Sequence, residues 1–314
     1  MRTSGKRIIV IGELNVDVIA SGLSQVPRLG HEILASDFQL SLGSASAIFA
    51  CGVAKLGNEV TFVSTVGRDQ FGDFCLAELT RAGISNQHVM RERNLRTGVT
   101  VSLSTIRDRA LVTFPGAIAA VGPHLLKRSF FATHDHLHMT SYFLQTGLKT
   151  SFAKIFADAK KHGITTSFDP NSDPSQTWNA EDLKAVLEHT DVLFVNKAES
   201  LKLARSRSIK SALRVLSALV PCSVVKLGAE GAIAIDNTGI TSASAFKVAV
   251  KDTTGAGDSF DAGFVSSYIR GNRLDDCLRT ANACGALSTL QAGGTESQPN
   301  TKELKKFLKA NKPL

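Results

Sequence analysis

The chain is short of the features that build metal clusters, disulfide frameworks and membrane spans. Its five cysteines (Cys51, Cys75, Cys222, Cys277, Cys284) are odd in number and no two have CxxC spacing. That argues against a thiolate metal centre and against a disulfide scaffold, and makes a reducing cytoplasm the expected setting. No apolar run approaches the roughly 18 residues that a membrane span needs. The first one, residues 8–11, stops at Gly12 and Glu13 and is too short for a signal-peptide core, so a soluble chain with no membrane partner is expected. Two phosphate-binding loops are missing as well: there is no GxxxxGK[ST] and no GxGxxG. Low-complexity tracts, linkers and internal repeats are absent, so residues 1–314 read as one domain.

Positive charge is in excess, with a net charge of +8, but it is dispersed. Its densest groups, Lys202 to Arg214 and Lys302 to Lys312, have helical spacing beside apolar residues and only one aromatic, Phe307, among them, too few to interleave for base stacking. Solvated helix faces account for them, and nucleic acid is not an expected partner. An overall positive balance also suits a protein that attracts an anionic small molecule.

Short apolar runs at 7–11, 60–65, 136–140, 165–168, 192–195, 223–226 and 232–236 alternate with helical patterns at 45–56, 71–82, 149–162, 180–189, 198–204 and 209–219. Gly57, Gly83 and Gly163 stand where left-handed helix caps are needed. Continuous apolar strands alternating with helices predict an α/β fold, with a central, mostly parallel sheet flanked by helices on both faces. Segments 13–42 and 93–115 break this rhythm. The second alternates over 98–106 like a half-exposed strand, and the two are predicted to form a small β-sheet lid.

The most informative stretch is residues 251–264, KDTTGAGDSFDAGF. A strand is predicted before it, at 246–250, and a helix after it, at 259–269. Gly255, Ala256 and Gly257 let backbone N–H groups turn inward where the new helix presents its positive end, an arrangement suited to a phosphoryl group. Asp258 stands at the mouth of that turn, where the helix end should keep it ionised and ready to orient an attacking hydroxyl. Spacing alone leaves open the plainer reading of a capping aspartate after a glycine turn. His134, His136 and His138 alternate as metal ligands on a strand would, and also as any sheet strand would. Tyr142, just past that strand, falls at the sheet edge where ligands collect in such folds.

Asp252 to Phe260 resembles the C-terminal signature of the ribokinase-like (pfkB) carbohydrate kinase family, and further landmarks follow in order. Residues 43–57 with Val66, Gly67, Arg68, Asp69 and Gly72 resemble its N-terminal signature. Asp169, Asn171 and Trp178 resemble its DxN block, Asn196 to Glu199 its NxxE motif, and Val225 to Gly231 its nucleotide-side strand and turn.

The resemblance implies a ribokinase-like fold and an ATP- and Mg²⁺-dependent kinase acting on a hydroxyl of a small sugar. It makes Asp258 the catalytic base and Gly255 to Asp258 the anion hole. Asn196, Lys226, Gly228, Gly231 and Asn282 fall on the ATP side, and Glu199 helps hold Mg²⁺ through water. Asp252, Thr254, Gly293 and Ser297 correspond to a monovalent-cation site, implying potassium. Asn15, Asp17, Gly43, Ser44 and Ile48 fall on the acceptor side, and lid strands that pair between subunits imply a homodimer.

The chain departs from the family pattern at three places. Ser44 replaces the second glycine of a pair, Ile48 stands where a sugar-binding Asn is usual, and Asp173 stands where an Arg is frequent. The first wall of the pocket is thereby more apolar, which leaves a nucleoside acceptor open. An anionic acceptor would have to rely on Arg96, Arg107 or Arg109 of the lid. A non-catalytic binding or regulatory homologue is the rival from another class, against which the intact Asp258, Glu199 and Asn196 speak.

Overall fold

The computed structural model describes residues 5–105, 108–178 and 180–311; Arg107 lies outside them. Strands are β1 (Arg7–Ile11), β2 (Asn15–Leu23), β3 (Asp37–Leu42), β4 (Glu59–Gly67), β5 (Val89–Glu92), β6 (Gly98–Thr105), β7 (Arg109–Phe114), β8 (His136–Thr140), β9 (Thr165–Asp169), β10 (Val192–Asn196), β11 (Cys222–Lys226), β12 (Ala232–Asp236) and β13 (Gly239–Ala243). Nine of them form one sheet in the order β13-β12-β11-β10-β9-β8-β1-β4-β5. All its pairings are parallel except β11 with β12 and β12 with β13. The central parallel strands are covered, as Ile8 to Ile11 and Val192 to Val195 show at 0% exposure, because helices bury the sheet on both faces. One core layer gathers Phe49, Phe62, Phe194 and Phe264; the other gathers Phe152, Phe156, Phe168 and Leu193.

Both segments that break the rhythm supply the second sheet, in the order β3-β2-β6-β7, with β2 and β6 parallel and the outer pairs antiparallel. It leaves the main sheet directly after β1 and carries exposed Phe38, Leu111, Val112 and Phe114.

Two expectations are corrected. The strand predicted at 246–250 does not form. Its FKVAV alternation is strand-like, but only Phe246 is buried, on Phe307, and the sheet already ends at β13. The helix predicted from 259 begins earlier and spans Ala256–Tyr268. Among the histidines, His134 stands before β8 and meets Thr61, while His136 and His138 share the Ser167 hydroxyl at 2.7 Å each. Burial pushes His136 down to about 3, which keeps it neutral. Among the described residues, no group of three His, Cys, Asp or Glu is placed to hold a metal. No helix among them is long and apolar enough to cross a membrane.

Candidate active site

Gly255 creates the turn. Its φ of 69° is left-handed, and a Cβ there would stand 2.8 Å from Gly294 Cα and 2.9 Å from Ile48 Cγ2, so only glycine fits. Gly255 is the N-cap of helix Ala256–Tyr268, with no side-chain cap. The Ala256 amide is spent on the Thr253 carbonyl at 3.2 Å. Among the described residues no protein group takes the amides of Gly255, Gly257 and Asp258, which leaves three donors at the positive end of a 13-residue helix.

Asp258 sits in the first turn and makes no capping contact, so the plainer reading as a cap does not describe it. Its ionisation also differs from expectation. The carboxyl is pushed up to about 7, chiefly by desolvation, with Asp169, Glu13 and Asp17 adding to the rise and Lys226 opposing it. The helix end favours the anion, but removal of water and three acidic neighbours outweigh it. A group titrating near neutrality is a better general base than the weakly basic carboxylate expected.

The sign of this shift bears on stability. A carboxyl whose folded pKa exceeds its unfolded value contributes stability in full below the unfolded pKa, and that contribution is lost as pH rises through about 7. Asp258 keeps part of its surface open, so the cost at pH 8 is discounted to about 1–2 kcal/mol. Asp258→Asn is therefore expected to stabilise the fold by about that amount at pH 8 and by less at pH 5, read by urea denaturation. Equal effects at the two pH values would contradict the shift.

On one side of Asp258 lies a cleft of about 440 Å³, within the range of small-molecule sites. It brings together Lys226, Gly228, Gly231, Gly257 and Asn282. The Asn282 amide is also tied to the Ala243 and Ser244 carbonyls at 3.0 and 3.1 Å. Asn196 caps helix Lys197–Leu203 and forms a reciprocal capping box with Glu199, whose Oε2 accepts from the Asn196 amide at 2.7 Å. Among the described residues Glu199 Oε1 has only a 3.5 Å contact, with Ser172. Glu199 is buried, and desolvation and then Asp169 raise its pKa. A buried carboxylate with a loosely held oxygen suits a hard, partly hydrated cation such as Mg²⁺.

Near the start of the second sheet, Asn15 Nδ2 donates to Asp17 Oδ1 at 3.1 Å, and the Gly43 amide donates to the Asn15 carbonyl at 2.9 Å. A Cβ on Gly43 would stand 2.1 Å from Asp17 Oδ1, so the bare backbone leaves room for that carboxylate. Burial pushes Asp17 up to about 6, with Asn15 and Arg109 opposing. Ser44 is held at φ 77° and caps helix Ala45–Lys55. Ile48 does not stand free in this pocket: it packs under Gly255 and Gly294. Tyr142 is 3% exposed, with its ring edge-on to Phe143, Phe152 and Phe168, so its aromatic face is used in the core.

Asp252 binds the Thr254 amide and hydroxyl through Oδ1 and the Gly293 amide through Oδ2, while the Ser297 hydroxyl donates to Ser288. Arg109 of the second sheet reaches Thr254 Oγ1 at 2.8 Å, and Gln39 reaches the Ala292 carbonyl at 3.1 Å, so two strands of that sheet touch this loop pair. The Asp173 carboxylate is ionised and its oxygens are taken up within its own loop. Desolvation raises its pKa, but hydrogen bonds from Ser175, Trp178 and Thr177 prevail and bring it to about 2.

Sequence reasoning missed Glu13, a buried acid joined to Ser46 and Ser141, and Asp261, which binds Lys226. For Asp261 a signal existed, since it lies one helical turn beyond Asp258.

Known proteins resemble this chain over nearly its whole length. A 2-dehydro-3-deoxygluconokinase of Bacillus subtilis is 30% identical over 300 residues, covering 90% of this chain and 91% of its own. An ATP-dependent ribose-1-phosphate kinase of Halopiger xanaduensis is 29% identical over 306 residues, covering 96% and 98%. An E. coli protein provisionally named ribokinase II, solved with ATP and Mg²⁺, superposes with a TM-score of 0.86 at 25% identity, covering 98% and 99%. The profile of the pfkB family carbohydrate kinases spans residues 6–301, and the chain belongs to that family: it is a kinase of the ribokinase fold.

Proposed function

We propose that the protein transfers the terminal phosphoryl group of ATP to a hydroxyl of a small sugar, with Asp258 as the base. One observation carries this reading. Asp258 and three open amides stand at one helix start, beside a nucleotide-sized cleft, with the Asp17 carboxylate near enough to add to the rise of the Asp258 pKa. The amides of Gly255, Gly257 and Asp258 face charge that builds on the migrating group, while Asp258 orients the alcohol and takes its proton as the new P–O bond forms and the bond from the terminal phosphorus to the bridging oxygen breaks, releasing ADP. Gly228, Gly231, Asn282 and Asn196 border the nucleotide. Glu199 would hold Mg²⁺, which supplies neutralising charge to the phosphates.

Asp17 and Asn15, with the Thr100 and Thr113 hydroxyls 3.1 Å apart across the second sheet, make a wall that reads a polyol. Asp17→Ala is expected to raise the acceptor KM by about tenfold or more while moving the ATP KM little, in line with losing hydrogen bonds to a charged group. Gly43→Ala, whose methyl displaces the same carboxylate, is expected to reproduce that pattern. A change in the ATP constant alone would place the acceptor elsewhere.

The loop pair carrying Asp252, Thr254, Gly293 and Ser297 supports potassium activation, and exposed Phe38 and Val112 support pairing of two copies through the second sheet. The deciding screen supplies ATP and Mg²⁺, with and without K⁺, to ribose, fructose, 2-dehydro-3-deoxygluconate, ribose 1-phosphate and nucleosides. Phosphorylation of a sugar is expected. Tight ATP binding with no transfer to any acceptor would favour a binding protein.

A further inference from the structure

Lys226 ends β11, and its ammonium is gripped from two other elements. Nζ lies 2.6 Å from Asp169 Oδ2, at the end of β9, and 3.1 and 3.2 Å from the two Asp261 oxygens. Both carboxylates are 1% exposed. Such a buried cluster is weak as a stabilising device, because desolvation offsets most of the attraction, so its worth lies in where it puts the charge. Burial, opposed by Lys226 and reinforced by Asp169, drives Asp261 well above the usual carboxylate range. Asp261 thus favours its protonated form, so the lysine charge is not cancelled twice over.

The two Asp261 bonds are the longer ones, at 3.1 and 3.2 Å, and the ammonium stays beside the turn: Nζ stands 3.3 Å from where a Cβ on Gly257 would be, and Lys226 lines the cleft with Gly228 and Gly257. A compact positive charge therefore lies next to the open Gly257 amide.

We propose that Lys226 touches the terminal phosphoryl group of the bound nucleotide and that Asp261 is the positioning residue that holds its ammonium there. This rests on the nucleotide reading of the cleft given above.

Calorimetric titration of the full chain with MgATP and with MgADP tests it, because only ATP carries the group in question. Lys226→Met is expected to weaken ATP at least tenfold and ADP less than threefold. Asp261→Asn is expected to cause a smaller loss with the same preference. The double variant should match Lys226→Met within twofold, since Asp261 acts through the lysine. If Asp261→Asn does not fold, Asp261→Glu replaces it, with the same selective loss expected. Equal losses for ATP and ADP, or single effects that multiply in the double variant, would overturn the proposal. Failure of the wild type to bind ATP would instead sink the nucleotide reading itself, and absence of transfer with selective ATP binding intact would sink only the kinase chemistry.

Discussion

Asp258→Asn is expected to lower kcat by at least about a hundredfold while leaving ATP affinity nearly unchanged, the usual range for loss of a general base. The substitution keeps the shape of the side chain and removes its capacity to take a proton. No hydrogen bond of the fold runs through the Asp258 carboxylate among the described residues, so the loss should be confined to chemistry. Alongside it, the wild-type rate should rise with pH through the region near 7, where this carboxyl ionises, and the variant should lose that limb. A stabilised but inactive variant would separate the two consequences of one buried acid. Near-normal turnover would remove Asp258 from the mechanism.

Gly255→Ala is expected to cost both fold and rate. A non-glycine residue in the left-handed region costs about 1–2 kcal/mol, and the methyl would also meet Gly294 Cα at 2.8 Å, which is backbone and yields little. Relief requires the turn or the Gly293–Gly294 loop to move. A shift of about 1 Å in the donors is enough for a hundredfold loss in kcat. Thermal unfolding and turnover are read together. An alanine variant with unchanged melting and rate would show that the turn does not depend on this glycine.

Much of the scaffold was legible because its signals are local. Arg7–Ile11 and Ala232–Asp236 are short apolar runs closed by polar or glycine residues, and both strands form at the bounds read from the sequence. The Gly255–Asp258 turn was legible for the same reason, as it is contiguous. Phe246–Val250 failed because alternation cannot say whether a neighbouring strand has an edge to offer. β5 and β13 are short and partly polar, and escaped notice.

The ionisation of Asp258 could not be read at all, since it sums charges from Glu13, Asp17, Asp169 and Lys226, which lie far apart in the chain. The Lys226 cluster likewise joins three elements that only the folded sheet brings together. Ile48 reads in the sequence only as an apolar side chain, and its place beneath Gly255 depends on packing between distant segments.

The most direct test is a crystal structure of the protein with Mg²⁺ and a non-hydrolysable ATP analogue. The expected result has the terminal phosphoryl oxygens within about 3 Å of the Gly257 and Asp258 amides, with the Asp258 carboxylate facing an open acceptor pocket. A triphosphate bound away from residues 255–258 would contradict the account.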